Sequence, residues 1–63
     1  MISLGAKVKW NDPAINEYPE DERQEAADRI FTVSSISENI AFITDGFTEA
    51  EVYLNELELI DEN

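Results

Sequence analysis

The sequence predicts a small, mainly β domain: a five-stranded barrel with a short helix in the long loop after strand 1. Three stretches carry that expectation. Ile2, Leu4, Ala6, Val8 and Trp10 alternate with Ser3, Gly5, Lys7 and Lys9, the period of a strand with one buried face. Asp45-Gly46 separates two apolar runs, which is the strongest short-range signal of a hairpin. Between Arg29 and Ser37 the apolar phase slips at Ser34-Ser35, as it does where a strand bends through a bulge to serve two packed sheets.

In chain order, the first strand runs over residues 2–10, with a bend or a close backbone approach at Gly5, and ends at Asn11-Asp12-Pro13, because proline cannot donate to a ladder. Residues 11–28 are the most polar stretch. Within it Pro19-Glu20-Asp21-Glu22 reads as a helix start, since proline suits the first turn and early carboxylates complement the helix dipole. Glu25 and Arg29 form an i,i+4 pair. So short a helix does not persist alone and is expected to dock through Tyr18, Ala26 and Ala27. Arg29 to Ser37 is rich in β-branched and aromatic residues and forms the second strand. Glu38-Asn39 turns the chain into a third strand, Ile40 to Thr44, which is apolar on both faces and therefore central or covered by the helix or by a second molecule. Asp45-Gly46 is expected as a type I′ turn, leading into a fourth strand over residues 48–53 with Ala50 and Val52 facing the core. A helical step at Leu54-Asn55-Glu56 precedes a last strand carrying Leu57 and Leu59. Residues 1–60 make one domain, and the polar tail 61–63 is expected to fray.

Composition narrows the function classes. The 63 residues include fifteen Asp and Glu but only Lys7, Lys9, Arg23 and Arg29 as cations, a formal net charge of -11. Nucleic-acid binding draws its affinity from cations on phosphates, so nucleic acid is excluded as a partner, and an anionic membrane surface with it. The chain has neither cysteine nor histidine, which removes disulfides, thiolate metal sites and the usual general base. No run of ~20 apolar residues spans a bilayer, and the start lacks the pattern of a secretory signal. Cytoplasmic residence is the default expectation.

The segment from Ala50 to Leu57, AEVYLNEL, resembles the end of an SH3 domain. On that pattern Ala50 takes the small position, Val52 a core position, Asn55 the asparagine of the one-turn helix and Leu57 the last core position. Most of the chain is also similar to small, acidic, uncharacterised bacterial SH3-like proteins with a G-x-x-V-x-W start, here Gly5, Val8 and Trp10, and a D-G-x-x-E-A-E-V hairpin, here Asp45 to Val52. The resemblance implies an SH3-like barrel without a known activity. It departs from SH3 domains that bind proline-rich ligands, because their groove proline, tyrosine and tryptophan are Tyr53, Glu56 and Ile40 here. Proline-rich recognition rests on that aromatic groove and is not expected.

Carboxylates are abundant, but no pair is singled out for acid–base catalysis, which needs two acids at a fixed separation in a cleft. Asp12, Glu17, Glu20, Asp21 and Glu22 lack the spacing of a calcium loop. No catalytic residue, metal or cofactor is therefore assigned. The expected function is a non-catalytic protein–protein interaction module with a basic protein partner. Trp10, Tyr18, Phe47, Glu51 and Tyr53 are the candidate binding residues, because aromatics beside acids suit a partner with basic and apolar groups. The chain is expected as a monomer or a weak homodimer through Ile40, Phe42 and Phe47. The alternative is an acidic, nucleic-acid-mimicking regulator of the antirepressor kind, covering the DNA-binding face of a basic protein.

Overall fold

A computed structural model describes residues 2–60. The tail, residues 61–63, lies outside the described residues, and with it the expectation that it frays. The chain is mainly β: strands β1 (Lys7–Trp10), β2 (Phe31–Ser37), β3 (Ile40–Thr44), β4 (Glu49–Tyr53) and β5 (Leu57–Leu59) form one antiparallel sheet in the order β4-β3-β2-β1-β5. A 3-10 turn (Ile15–Glu17) and helix α1 (Glu20–Asp28) occupy the connection from β1 to β2, and a second 3-10 turn (Leu54–Glu56) joins β4 to β5. Among the described residues the expected barrel is not closed by hydrogen bonds: β4 and β5 are the two edges of the sheet. The tight turn between them places the edges close in sequence without pairing them.

The core consists of Val8, Phe31, Val33, Ala41, Ile43 and Val52, with Ala6, Trp10, Ile36, Leu54 and Leu57 packed at its margin. Register explains why these residues meet. Val33 lies opposite Ile43, which lies opposite Ala50, and Ile36 lies opposite Ala41, which lies opposite Val52. Val33 and Ile36 share a face despite their odd spacing because the ladder shifts register between Val33 and Ser35. The phase slip at Ser34-Ser35 is thus a bulge, whose extra residue restores the apolar side chains to one side.

Three local expectations are corrected. The first strand begins at Lys7, not Ile2. The chain turns over Leu4-Gly5, with Ala6 N–H donating to Ser3 C=O at 3.0 Å. Gly5 has φ +82 and open space around it, so it serves the turn and not a close approach. Leu4 consequently leaves the core and is 66% exposed. The second correction concerns Asp45-Gly46. Gly46 has a positive φ but Asp45 does not, so the type I′ turn is replaced by a longer loop and β4 starts at Glu49. There the Asp45 carboxylate accepts hydrogen bonds from the backbone N–H groups of Phe47 and Thr48, both at 2.9 Å. Those bonds satisfy the loop from within, as aspartate side chains do in turns, and hold the Asp45 carboxyl below its ordinary value. Third, α1 packs chiefly against β1 and the first 3-10 turn, so the helix is not the main cover of β3. Of the alternatives for that strand, central or covered by the helix or by a second molecule, its place between β4 and β2 bears out the central one. Of its two alanines only Ala26 is half-buried, while Ala27 is exposed.

The two-residue link Glu38-Asn39 is tight as expected, and it holds Glu38 at φ 56. That is left-handed backbone which a glutamate adopts at a cost.

Candidate functional site

Strand β1 delivers Trp10 to its C-terminal end, opposite Leu57 of β5. Trp10 falls on the side of the sheet that carries Val8, two residues earlier. Its indole N–H donates to Glu56 Oε1 at 3.2 Å, a bond that orients the ring at the margin of the core. Two residues on, Asp12 organises the connection. One carboxylate oxygen accepts from Ala14 N–H at 2.9 Å and the other from the Tyr18 hydroxyl at 2.6 Å. The bond from Tyr18 to Asp12, and then the Asp12 charge, raise the phenol above its ordinary value of 10.0, because ionising the phenol would lose that bond and set two negative charges side by side.

Pro19 stands at the helix start with its carbonyl accepting from the N–H groups of Glu22 and Arg23 at 2.9 and 3.2 Å. Arg23 then reaches back, its guanidinium donating to the carbonyls of Tyr18 and Asn16, both at 3.1 Å. These ties fasten a helix that has no buried residue of its own. At its far end Arg29 lies between Glu25 (3.7 Å) and Asp45 (3.9 Å), joining the helix to the β3–β4 loop. Those are the ion pairs found among the described residues.

Between the helix and the sheet lies a cleft of about 180 Å³. Trp10, Tyr18 and Phe31 give it aromatic walls, Asp12, Glu22 and Glu25 line it with carboxylates, and Ala26 and Arg29 complete it. A second cleft of about 200 Å³ lies beside it, lined by Trp10, Asn11, Asp12, Ile15 and Ala27. Trp10 and Asp12 therefore border both spaces. Aromatic faces attract cations through their quadrupole, and three carboxylates against one guanidinium leave the first cleft negative. The chemistry it offers is recognition of a positively charged group. No group of three or more His, Cys, Asp or Glu among the described residues is placed to hold a metal ion.

The candidate residues divide into separate places. Trp10 and Tyr18 meet in the cleft. Glu51 and Tyr53 lie on the exposed side of β4, alternating with Ala50 and Val52. Phe47 stands at the tip of the β3–β4 loop, 95% exposed. Ile40 and Phe42 are half-buried on the side of β3 turned away from the core, with Tyr53 and Glu51 opposite them. Phe31, Glu22 and Glu56 are not among the binding candidates that the sequence offered. Phe31 carries only a strand signal, and nothing local links Glu56 to Trp10 across 46 positions. No protein-family model, curated protein or solved structure matches the chain.

Proposed function

We propose that this chain is a non-catalytic, SH3-like protein-interaction module whose helix–sheet cleft takes a cationic side chain of a basic protein partner. The observation that carries this reading is the meeting of Trp10, Tyr18 and Phe31 with Asp12, Glu22 and Glu25 around one small space. The SH3-like part is supported by the strand order, the long connection after β1 and the one-turn helix between β4 and β5. A guanidinium or ammonium enters such a cleft with its stem against the rings and its charge against the acids. The net charge of -11 steers basic partners toward the surface.

The test is a titration with an arginine-containing peptide and its citrulline analogue, which keeps the shape and loses the charge. The expected result is saturable quenching of Trp10 and amide shifts around Tyr18 with the arginine peptide, at least tenfold weaker with citrulline and in the Glu22→Gln/Glu25→Gln variant. Equal response to both peptides, or no saturation, overturns the reading.

A second reading, the nucleic-acid mimic, is favoured by one observation. Helix α1 exposes Glu20, Asp21, Glu22, Glu25 and Asp28 with Arg23 as its single cation. That reading requires the chain to displace DNA from a basic DNA-binding protein, with an effect that falls steeply as salt screens charges beyond ~8 Å at physiological ionic strength.

A further inference from the structure

We propose that the free edge of β4 accepts an extended, basic segment of a partner protein, which adds to the sheet as a further strand. The inference rests on the reading of the chain as a binding module for basic proteins, but it uses a different surface. Among the described residues strand β4 ends the sheet, with β3 on its one paired side. In an antiparallel ladder, directly opposed residues alternate between pairs that exchange hydrogen bonds and pairs that do not. Two bonds set the phase here: Asp45 N–H donates to Thr48 C=O at 3.3 Å, and Leu54 N–H donates to Asn39 C=O at 2.8 Å. Between them the pairs Ile43–Ala50 and Ala41–Val52 fall on the hydrogen-bonded beat, and Thr44–Glu49, Phe42–Glu51 and Ile40–Tyr53 on the other.

The backbone N–H and C=O groups of Glu49 and Glu51 therefore point to the unpaired side. Tyr53 N–H points there too, but it donates to Glu56 Oε1 at 3.3 Å, so that end of the edge is already closed by a carboxylate. What remains open is the stretch from Glu49 to Glu51, with both glutamates exposed.

The charge pattern selects the occupant. A second copy pairing through its own β4 brings Glu49 and Glu51 against their counterparts, and like charges directly opposite one another destabilise a strand pair. The carboxylates thus guard the edge against self-pairing, a common use of charge on edge strands. Glu51, and Glu49 on exchanging the Ser34 hydroxyl that donates to its carboxylate at 3.1 Å, match lysines or arginines at alternate positions of an incoming strand. Backbone bonds supply affinity and the alternating charges supply selection.

The probe is the peptide acetyl-Lys-Val-Lys-Val-Lys-amide, compared with the same peptide backbone-methylated at its lysine nitrogens, which keeps the charge and removes the strand-forming donors. The expected result is saturable binding that slows amide exchange at Glu49 and Glu51 at least tenfold. Methylation is expected to weaken binding at least tenfold. Glu51→Lys is expected to lose the lysine peptide and to acquire acetyl-Glu-Val-Glu-Val-Glu-amide. Equal affinity for the methylated peptide, or unchanged exchange at Glu49 and Glu51, overturns the proposal. If the lysine peptide instead perturbs Trp10 and Tyr18 alone, the edge is refuted while the cleft reading stands. Protection at β4 without any response to the arginine peptide at Trp10 has the opposite meaning.

Discussion

Among the described residues, strands β2, β3 and β4 contribute five of the six buried side chains, Phe31, Val33, Ala41, Ile43 and Val52, whereas residues 11–30 contribute none. The first region is held by apolar burial in register. The second is held by polar ties: Asp12 to Ala14 and Tyr18, Arg23 to two carbonyls, and Arg29 between two acids. Burial of apolar surface is cooperative within a packed core, while exposed hydrogen bonds and ion pairs each add little. The connection is therefore the part expected to open locally, at a free energy below that of global unfolding. Both clefts lie along that seam between the strongly and weakly held parts. The edge of β4, by contrast, belongs to the strand that carries the buried Val52.

The largest expected effect comes from breaking the packed region. Ile43 is fully buried, and Ile43→Ala should cost about 2–5 kcal/mol, a large share of what a domain this small has to lose. Urea denaturation is expected to find much or all of the chain unfolded before denaturant is added. A loss under ~1 kcal/mol would mean that the sheet interior is not the stabilising centre.

Next comes the joint between the regions. Asp45→Ala removes the acceptor for Phe47 and Thr48 and the partner of Arg29, and a lower melting temperature with faster amide exchange in the β3–β4 loop is expected. Because the backbone hydrogen bonds from Thr48 and Phe47 depress the Asp45 pKa, its stabilisation is complete above the ordinary value of 3.8 and is lost as pH falls through the lower folded value. The difference in melting temperature between the original chain and the variant should therefore hold from neutral pH down to about 3.8 and shrink below it. A difference unchanged in strong acid would assign the effect to the side chain's shape.

The smallest effect is local to the connection. In a Tyr53→Phe background the phenol of Tyr18 is expected to ionise above 10.0, and adding Asp12→Ala should bring it down. The sign is that of a raised pKa: the Tyr18–Asp12 bond stabilises the fold below 10.0 and is lost as pH rises through the folded value. Absorbance of the tyrosinate reads this directly. If the titration does not move on removal of Asp12, the polar ties assigned to this region are not formed in solution.

Much of the mainly β architecture was legible because its signals are local. The apolar run of β3, the alternation in β4, the helix start after Pro19 and the bulge at Ser34-Ser35 each announce themselves within a few residues. The binding candidates were legible only as residue types. Trp10 and Tyr18 are named by chemistry, but their shared cleft depends on Phe31, Glu22 and Glu25, which arrive from β2 and α1.

The amino-acid order by itself determined which residues alternate, where the chain reverses and the sign of the surface charge, since periodicity, turn chemistry and charge are properties of short stretches. Only the tertiary structure decided that β1 begins at Lys7, that Asp45 spans a longer loop than its glycine implies, and that β4 and β5 are the edges of the sheet among the described residues. These depend on strand register and on contacts between distant segments, where the energies of alternative pairings differ by little and the whole sheet selects among them.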